Sequence, residues 1–292
     1  MSNNIVLYLM TQKGYEVLKA VLPDYHSEIK AVVSSRDRNI KNDFYVEIKQ
    51  LCMDWGVPFG DRKEEKSFDS TYALTISWRW MISTPSKLIV LHDSLLPKYR
   101  GFNPLVSALI NGETEIGVSA VFAEKLFDRG DILLQCKTSI EYPLVIQRAI
   151  ELVNKQYANI TYEIIRRISK GEKLIGNPQN EEEATYSLWR DEEDYRIHWT
   201  ESADVIQRFV DAVGYPYKGA FTVINGMKAR VIKCTVVKDV YIENRHPGKV
   251  LFLDDGIPTV VCGKGLIQIN ELVDEGMGSS LLPLSRFRVR FK

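Results

Sequence analysis

Apolar positions come in two alternating rhythms over the first hundred residues. Ile5-Val6-Leu7-Tyr8-Leu9-Met10 is a near-continuous apolar run that stops at Thr11-Gln12-Lys13-Gly14, after which Tyr15, Val17, Leu18, Val21 and Leu22 recur at helical spacing. The pattern predicts strand, loop, helix. A second strand is expected over 29–33, a second helix over 43–56 with Val46, Ile48, Leu51 and Trp55 inward, and further strands over 72–76 and 88–91. Parallel strands need crossovers long enough to hold a helix, so this alternation predicts an α/β, doubly wound, mostly parallel sheet of Rossmann-like type. Residues 117–123 read as another strand and 144–169 as a long amphipathic helix. Ligands of such sheets bind at the carboxyl ends of strands, near the point where strand order reverses. His92 stands at the end of a predicted strand.

Past Gly171 the texture changes. Gly176-Asn177-Pro178-Gln179-Asn180-Glu181-Glu182-Glu183 is polar and carries a turn signal, so it reads as the start of a linker whose acidic run is a solvated loop. A short helix is expected over 199–213, capped by Thr200 or Ser202. Short alternating runs follow over 229–237, 248–253, 259–262 and 266–272, separated by Gly, Asp and Pro. Many short strands with regular turn signals predict a small β-barrel or open sandwich. The expected organisation is an α/β domain over 1–175, an interdomain segment over 176–198 and a β-rich domain over 199–292.

A chain of 292 residues suits one large or two medium domains. Lys plus Arg total 38 and Asp plus Glu total 38, a balance that sets up no global field toward nucleic acid or an anionic membrane, although a local basic patch survives a neutral total. The apolar stretch at residues 5–10 lacks a basic flank and is shorter than a signal core or a membrane span, so a cytoplasmic chain without a membrane partner is expected. Cys52, Cys136, Cys234 and Cys262 are scattered without CxxC spacing, which predicts buried reduced thiols and neither disulfides nor a metal site. No GxGxxG follows the first strand, so nothing supports a dinucleotide.

Candidate chemistry concentrates in two short runs. His92-Asp93-Ser94-Leu95-Leu96-Pro97-Lys98-Tyr99-Arg100-Gly101 sets a histidine beside a proline-fixed turn, and Phe127-Asp128-Arg129-Gly130-Asp131-Ile132-Leu133 follows a carboxylate with a turn glycine. Histidine moves protons near neutral pH and a carboxylate orients it, so the two read as an acid–base pair.

These runs, with Pro104, Gly112-Glu113 and Gly117-Val118 between them, resemble the core of the folate-dependent formyltransferases, which include methionyl-tRNA, glycinamide-ribonucleotide and sugar-nucleotide N-formyltransferases. Tyr195-Arg196-Ile197-His198-Trp199 through Pro216-Tyr217-Lys218-Gly219-Ala220-Phe221 resembles the C-terminal domain shared by the tRNA and some sugar enzymes. The resemblance implies transfer of a formyl group from 10-formyltetrahydrofolate to a primary amine, with residues 1–175 as the catalytic domain and no metal. His92 would assist proton transfer or stabilise the oxyanion, and Asp128 would hold the imidazole. The family usually carries an asparagine two residues before this histidine to donate to the oxyanion. Here that position is Val90, which cannot donate. Asn103 is the candidate that returns the missing amide, its alternative being a turn residue before Pro104.

The family's pterin contacts map onto Trp78, Trp80, Met81 and Ile82 after the third predicted strand and onto Leu126 and Asp131 around the second motif. Packing in the core is the alternative for both tryptophans. Lys98, Tyr99 and Arg100 are candidate substrate or phosphate contacts, or else a solvated loop. Ala184 to Tyr195 resembles the interdomain segment of the sugar-nucleotide enzymes, where Trp189 would stack on a pyrimidine and Arg190 meet a phosphate, or the aromatics would cement a domain interface. tRNA-directed relatives carry a long basic, glycine-containing loop where Ser34 to Asn42 is short and glycine-free. The expected acceptor is therefore a nucleotide-linked amino-dideoxy sugar (dTDP or UDP) for surface-polysaccharide assembly, such as lipopolysaccharide O-antigen, and the expected partner is this small molecule rather than nucleic acid. Methionyl-tRNA formylation stays open, as does a degenerate homologue that binds nucleotide sugar or folate without turnover, motivated by Val90. A homodimer stays open too, with Leu281-Leu282-Pro283-Leu284 as edge strand or partner contact.

Overall fold

The computed structural model describes residues 4–38, 42–64 and 68–292. Asn39, Ile40 and Lys41 of the glycine-free loop lie outside the described residues. In chain order the elements are β1 (Ile5–Leu9), α1 (Thr11–Tyr25), β2 (Ile29–Ser34), α2 (Tyr45–Asp54), β3 (Phe59–Asp61), β4 (Tyr72–Ile76), β5 (Lys87–His92), β6 (Arg100–Gly101) and α3 (Pro104–Asn111). They continue as β7 (Glu115–Phe122), β8 (Ile132–Ser139), α4 (Ile146–Ser169), β9 (Tyr186–Ser187), α5 (Ala203–Ala212), β10 (Ala220–Ile224), β11 (Met227–Val237), β12 (Val250–Asp254), β13 (Ile257–Val261) and β14 (Leu266–Asp274). The chain divides into two compact units, one of residues 1–102, 115–138 and 151–187, the other of 103–114, 139–150 and 188–292.

The first unit holds a seven-stranded sheet in the order β3-β2-β1-β4-β5-β7-β8. Strands β1 to β5 pair in parallel and β7 runs antiparallel to β5. The chain winds from β1 toward one edge and then restarts beside β1 with β4, so strand order reverses between them and their carboxyl ends border the usual ligand crevice. Both ends turn sharply there, with Thr11 and Ser77 at φ 65° and 54°. Left-handed backbone at a β-branched threonine is rare and needs support from its surroundings. His92 ends β5, the next strand along.

Helix α2 differs from its expected inward face. Ile48 and Cys52 are buried one turn apart, whereas Val46 is 56% exposed and Trp55 lies past the helix end, its ring 5.5 Å from that of His26. At 3.6 residues per turn Val46 lies on the opposite side of the helix from Ile48 and Cys52, so it faces outward. Helix α3, for which the apolar pattern made no prediction, is too short to register a period. Its stops are nonetheless legible, a proline at its first position and Gly112 in left-handed conformation after its last.

The second unit carries a five-stranded antiparallel sheet, β10-β11-β14-β13-β12. Its two edges are joined by the last residues: Phe291 bridges Ile224 of β10, and Arg290 bridges Lys249 just before β12. The sheet therefore closes in barrel-like fashion. Trp199 plugs it, stacking edge-on at 5.4 Å against Phe291 while its indole N–H donates to Thr222 Oγ1 at 3.0 Å. Ser202, not Thr200, caps α5 by accepting from Val205 N. Among the described residues no helix is long and apolar enough to cross a membrane.

Candidate active site

The loop from His92 to Gly101 is held from beneath by two polar residues on the neighbouring strands. Ser119, opposite His92 across the antiparallel β5–β7 pair, is fully buried. Its hydroxyl donates to Ser94 O at 2.7 Å and accepts from Leu96 N at 2.9 Å and from Gln135 Nε2 at 2.7 Å. Gln135 Nε2 also donates to Leu96 O at 2.9 Å, and Ser94 Oγ closes the turn on Lys98 O at 2.7 Å. Sequence reasoning missed Ser119 and Gln135. The available signal was a serine in the otherwise apolar stretch Val118 to Phe122, where a buried hydroxyl has to find partners.

His92 is buried and makes two polar contacts. Its Nε2 faces the carbonyl oxygen of Tyr99 at 2.8 Å, and its Nδ1 lies 3.5 Å from Asp128 Oδ1. A carbonyl only accepts, so Nε2 is assigned the proton. A neutral ring then turns the Nδ1 lone pair toward a carboxylate, acceptor against acceptor, and a proton arriving at Nδ1 converts that opposition into an ion pair. The geometry makes Nδ1 the proton-accepting atom. Tyr99 supplies its carbonyl from a left-handed backbone, φ 60°, strain that fixes the ring.

Asp128 is itself left-handed at φ 60° and is held at several points. Gly101 N donates to its Oδ2 at 2.9 Å, and Gln179 Nε2 donates to its main-chain oxygen at 2.7 Å and to Gly130 O at 2.8 Å. Both glycines are obligatory: a Cβ on Gly130 would stand 1.7 Å from Phe122 O, and one on Gly101 would stand 2.5 Å from Ser187 O.

The segment read as a linker is built onto this site. Asn177 exchanges backbone hydrogen bonds with Ile132, Thr185 N donates to Pro97 O, Thr185 O accepts from Arg100 N, and β9 pairs with β6. Residues 177–187 thus strap the loop after His92 to the turn carrying Asp128. Arg100, expected at a substrate phosphate, is 1% exposed and spends its guanidinium inside the unit: Nη1 and Nη2 fork onto Glu181 at 2.9 and 2.8 Å, and Nε and Nη2 reach Gln179 Oε1 at 3.2 and 2.8 Å. Hydrogen bonds from Arg100 hold the Glu181 carboxyl below its ordinary range. The acidic run is therefore not uniformly solvated, because its first member neutralises a buried cation.

Comparison with known proteins sets this geometry in context. Residues 70–163 match the family model described as formyl transferase, and residues 190–279 match that described as formyl transferase, C-terminal domain. The chain belongs to the formyltransferase family. It is 34% identical over 194 residues to a methionyl-tRNA formyltransferase of Carboxydothermus hydrogenoformans, covering 66% of this chain and 61% of that one. The chain thus spans about three fifths of the length of the curated relatives it matches. Among solved structures it is similar to WlaRD, a sugar 3N-formyltransferase in the presence of dTDP and 5-N-formyl-THF, with TM-score 0.70, 17% identity, and coverage of 93% of this chain and 99% of that one. It is likewise similar to the N-formyltransferase from Helicobacter canadensis in complex with folinic acid and dTDP-3-aminofucose, with TM-score 0.71, 16% identity, and coverage of 92% and 99%. At that identity the likeness is one of fold.

The other positions expected to matter in a formyltransferase fall into separate groups. Trp78 packs edge-on between Tyr8 and Trp80, each 5.3 Å away, and its buried indole N–H has no hydrogen-bond partner among the described residues. Trp80 lies under the Arg62 guanidinium at 4.2 Å. Met81, Leu126 and Asp131 are exposed, Met81 at 87%, and Ile82 is half-buried. Lys98 is exposed on the motif loop. Val90, two residues before His92 and so on its face of β5, is half-buried and brings no polar atom. Asn103 belongs to the second unit, left-handed at φ 49° before Pro104, and its side chain makes no capping bond to α3. Trp189 is exposed and Arg190 donates to Asp194 O at 3.4 Å, also in the second unit.

One further group was not anticipated. Asp93 receives the Lys13 ammonium at 2.8 and 3.0 Å, and that ammonium sits 4.1 Å over the ring of Tyr157, whose hydroxyl donates to Leu91 O. Burial by itself would raise the Asp93 carboxyl, but the Lys13 charge and hydrogen bond override it and hold the group below its ordinary range.

Proposed function

We propose that this chain is an N-formyltransferase that moves the formyl group of 10-formyltetrahydrofolate to the primary amine of a dTDP- or UDP-linked amino-dideoxy sugar, a cytoplasmic step of surface-polysaccharide assembly. The observation that carries the reading is the buried His92–Asp128 pair at the carboxyl end of β5, with Nδ1 turned to the carboxylate. In this reading residues 1–175 form the catalytic domain, 176–198 the interdomain segment and 199–292 the β-rich domain.

The acceptor amine attacks the formyl carbon, the carbonyl oxygen becomes an oxyanion, and the bond to the folate nitrogen breaks as that nitrogen gains a proton. His92 takes the amine proton at Nδ1, Asp128 stabilises the imidazolium, and the proton passes on to the departing nitrogen. Acid–base assistance of this kind is typically worth ~10² to 10⁴ in rate. Asn103 is assigned the oxyanion donor in place of the amide that Val90 lacks. The residues around the expected folate segments suit the donor: Met81 and Leu126 expose apolar surface for a flat ring, and the Trp78 N–H has no partner among the described residues and can donate to it. Ile82 and Asp131 are assigned to the donor as well, Trp189 and Arg190 to the nucleotide, and Lys98 and Tyr99 to the acceptor end.

The sugar acceptor is favoured by the two solved relatives above, which were studied with dTDP or a dTDP-sugar, and by the glycine-free loop at 34–42. Methionyl-tRNA is the second reading, favoured by the curated relatives. A coupled assay with 10-formyltetrahydrofolate and a panel of 3-amino and 4-amino dTDP- and UDP-sugars separates them. Release of tetrahydrofolate with one of these is expected. Formylation of charged initiator tRNA instead would overturn the acceptor, and no release with any acceptor would leave a binding protein.

A further inference from the structure

The left-handed turn at Asp128 needs an external hold, and the strap supplies it. Gln179 spends both amide hydrogens on main-chain oxygens of that turn, those of Asp128 and Gly130, while its Oε1 accepts from Nε and Nη2 of Arg100. The amide cannot turn over: reversed, its oxygen would face two carbonyls and its hydrogens would face guanidinium N–H groups. Arg100 is fixed in turn by its fork onto Glu181 and by complete burial. Orientation therefore passes from Glu181 through Arg100 and Gln179 to Asp128, and from Asp128 Oδ1 to His92. No residue type other than an amide does both jobs at position 179, because a carboxylate accepts from Arg100 but donates nothing, and an apolar chain does neither.

We propose that Gln179 is a positioning residue for catalysis, setting the Asp128 carboxylate against His92 Nδ1, and that Arg100 acts through it. The proposal rests on the formyl-transfer reading for its chemistry but not for its geometry. Gln179→Glu is isosteric and keeps an acceptor for Arg100 while removing both donors. The expected result is a fall in kcat of ~10- to 100-fold, the range seen when an outer hydrogen-bond partner of a functional group is lost, with KM for donor and acceptor within about twofold. Arg100→Lys should give a similar loss, and the double variant should be no worse than either single one, since all three break one chain of contacts. Glu182→Gln, an exposed neighbour in the strap, should retain full activity.

The ¹⁵N resonance of His92 Nδ1 gives a readout independent of any acceptor. It should move in Gln179→Glu and Arg100→Lys and stay in place in Glu182→Gln. If Gln179→Glu does not fold, Gln179→Met makes the same comparison. Full kcat with an unmoved Nδ1 resonance in a folded Gln179 variant overturns the proposal. Absence of turnover in the unaltered protein overturns the sugar-formylation reading alone, and the resonance then decides the positioning role.

Discussion

Replacing Ser119 with alanine tests whether the floor of the His92 loop is as constrained as its hydrogen bonds imply. The hydroxyl is fully buried and joins Ser94 O, Leu96 N and the Gln135 amide. Alanine leaves Gln135 its bond to Leu96 O, so one amide hydrogen there loses its second acceptor, but it strands the Ser94 carbonyl and the Leu96 N–H inside the protein. A buried backbone group without a partner costs about 1–3 kcal/mol, so the two together put the loss near ~3 kcal/mol once local relaxation is allowed for. For a chain of this size that corresponds to a fall in Tm of roughly 6 °C, at about 2 °C per kcal/mol. Urea unfolding monitored by circular dichroism measures the stability, and the single-turnover rate of formyl transfer measures the loop. Both should fall, because the stranded groups belong to the turn that begins at His92. A loss under ~1 kcal/mol with an unchanged rate would mean that the loop is set by its own turn geometry and that Ser119 only fills space.

With Asn103 as the oxyanion donor, Val90→Asn should leave the rate within about twofold and Asn103→Ala should lower it ~10²- to 10³-fold; single-turnover kinetics measure both, and a gain of ~10-fold or more in Val90→Asn would show that the site lacks that donor. Lys13→Met leaves Asp93 without its cation and should cost about 2 kcal/mol near neutral pH, allowing for the partial exposure of Asp93. Because the folded Asp93 carboxyl is held low, the contribution is present above its unfolded value near ~3.9 and is lost as pH falls through the folded value, so urea melts of the two proteins should converge in acid. Glu192→Gln should follow the same sign in the second unit. Although burial opposes ionisation, Lys228, Lys218 and Arg230 bring that carboxyl down to about 2, so the variant should be destabilised above pH ~4.3 and match the unaltered protein near pH 2 in thermal melts.

Much of the fold was written in periodicity. β4 falls where the apolar run over 72–76 puts it, and β1, β2 and β5 begin or end within a residue of their runs, because parallel strands buried on both faces read as continuous apolar stretches. Short elements escaped for the opposite reason. β3 and α3 hold too few residues for a period to register, and β8, where half-buried residues alternate with exposed ones after Leu133, was masked by its polar half. In the site, His92 and Asp128 were legible as residue types at a recognisable spacing. Their supports were not, since Ser119, Gln135 and Gln179 each act through a few hydrogen bonds to main-chain and side-chain atoms far away in sequence, and such contacts leave no periodic trace. Arg100 shows the converse: a conspicuous arginine beside the His92 motif invites a ligand, and only its burial and contacts reveal that its partner is an acid in the strap.

The strap also bears on how modular the molecule is. Composition invites a cut near residue 176, as though the remaining chain were a tether that could join any N-terminal half to any C-terminal half. A chimera spliced there would inherit its Gln179, Glu181 and Thr185 equivalents from the wrong parent, and its Arg100 would be buried without its own counter-ion. A junction for exchanging C-terminal segments between relatives therefore has to fall after Ser187, which keeps the native strap with the histidine it frames, while residues 103–114 and 139–150 of the second unit stay with the host.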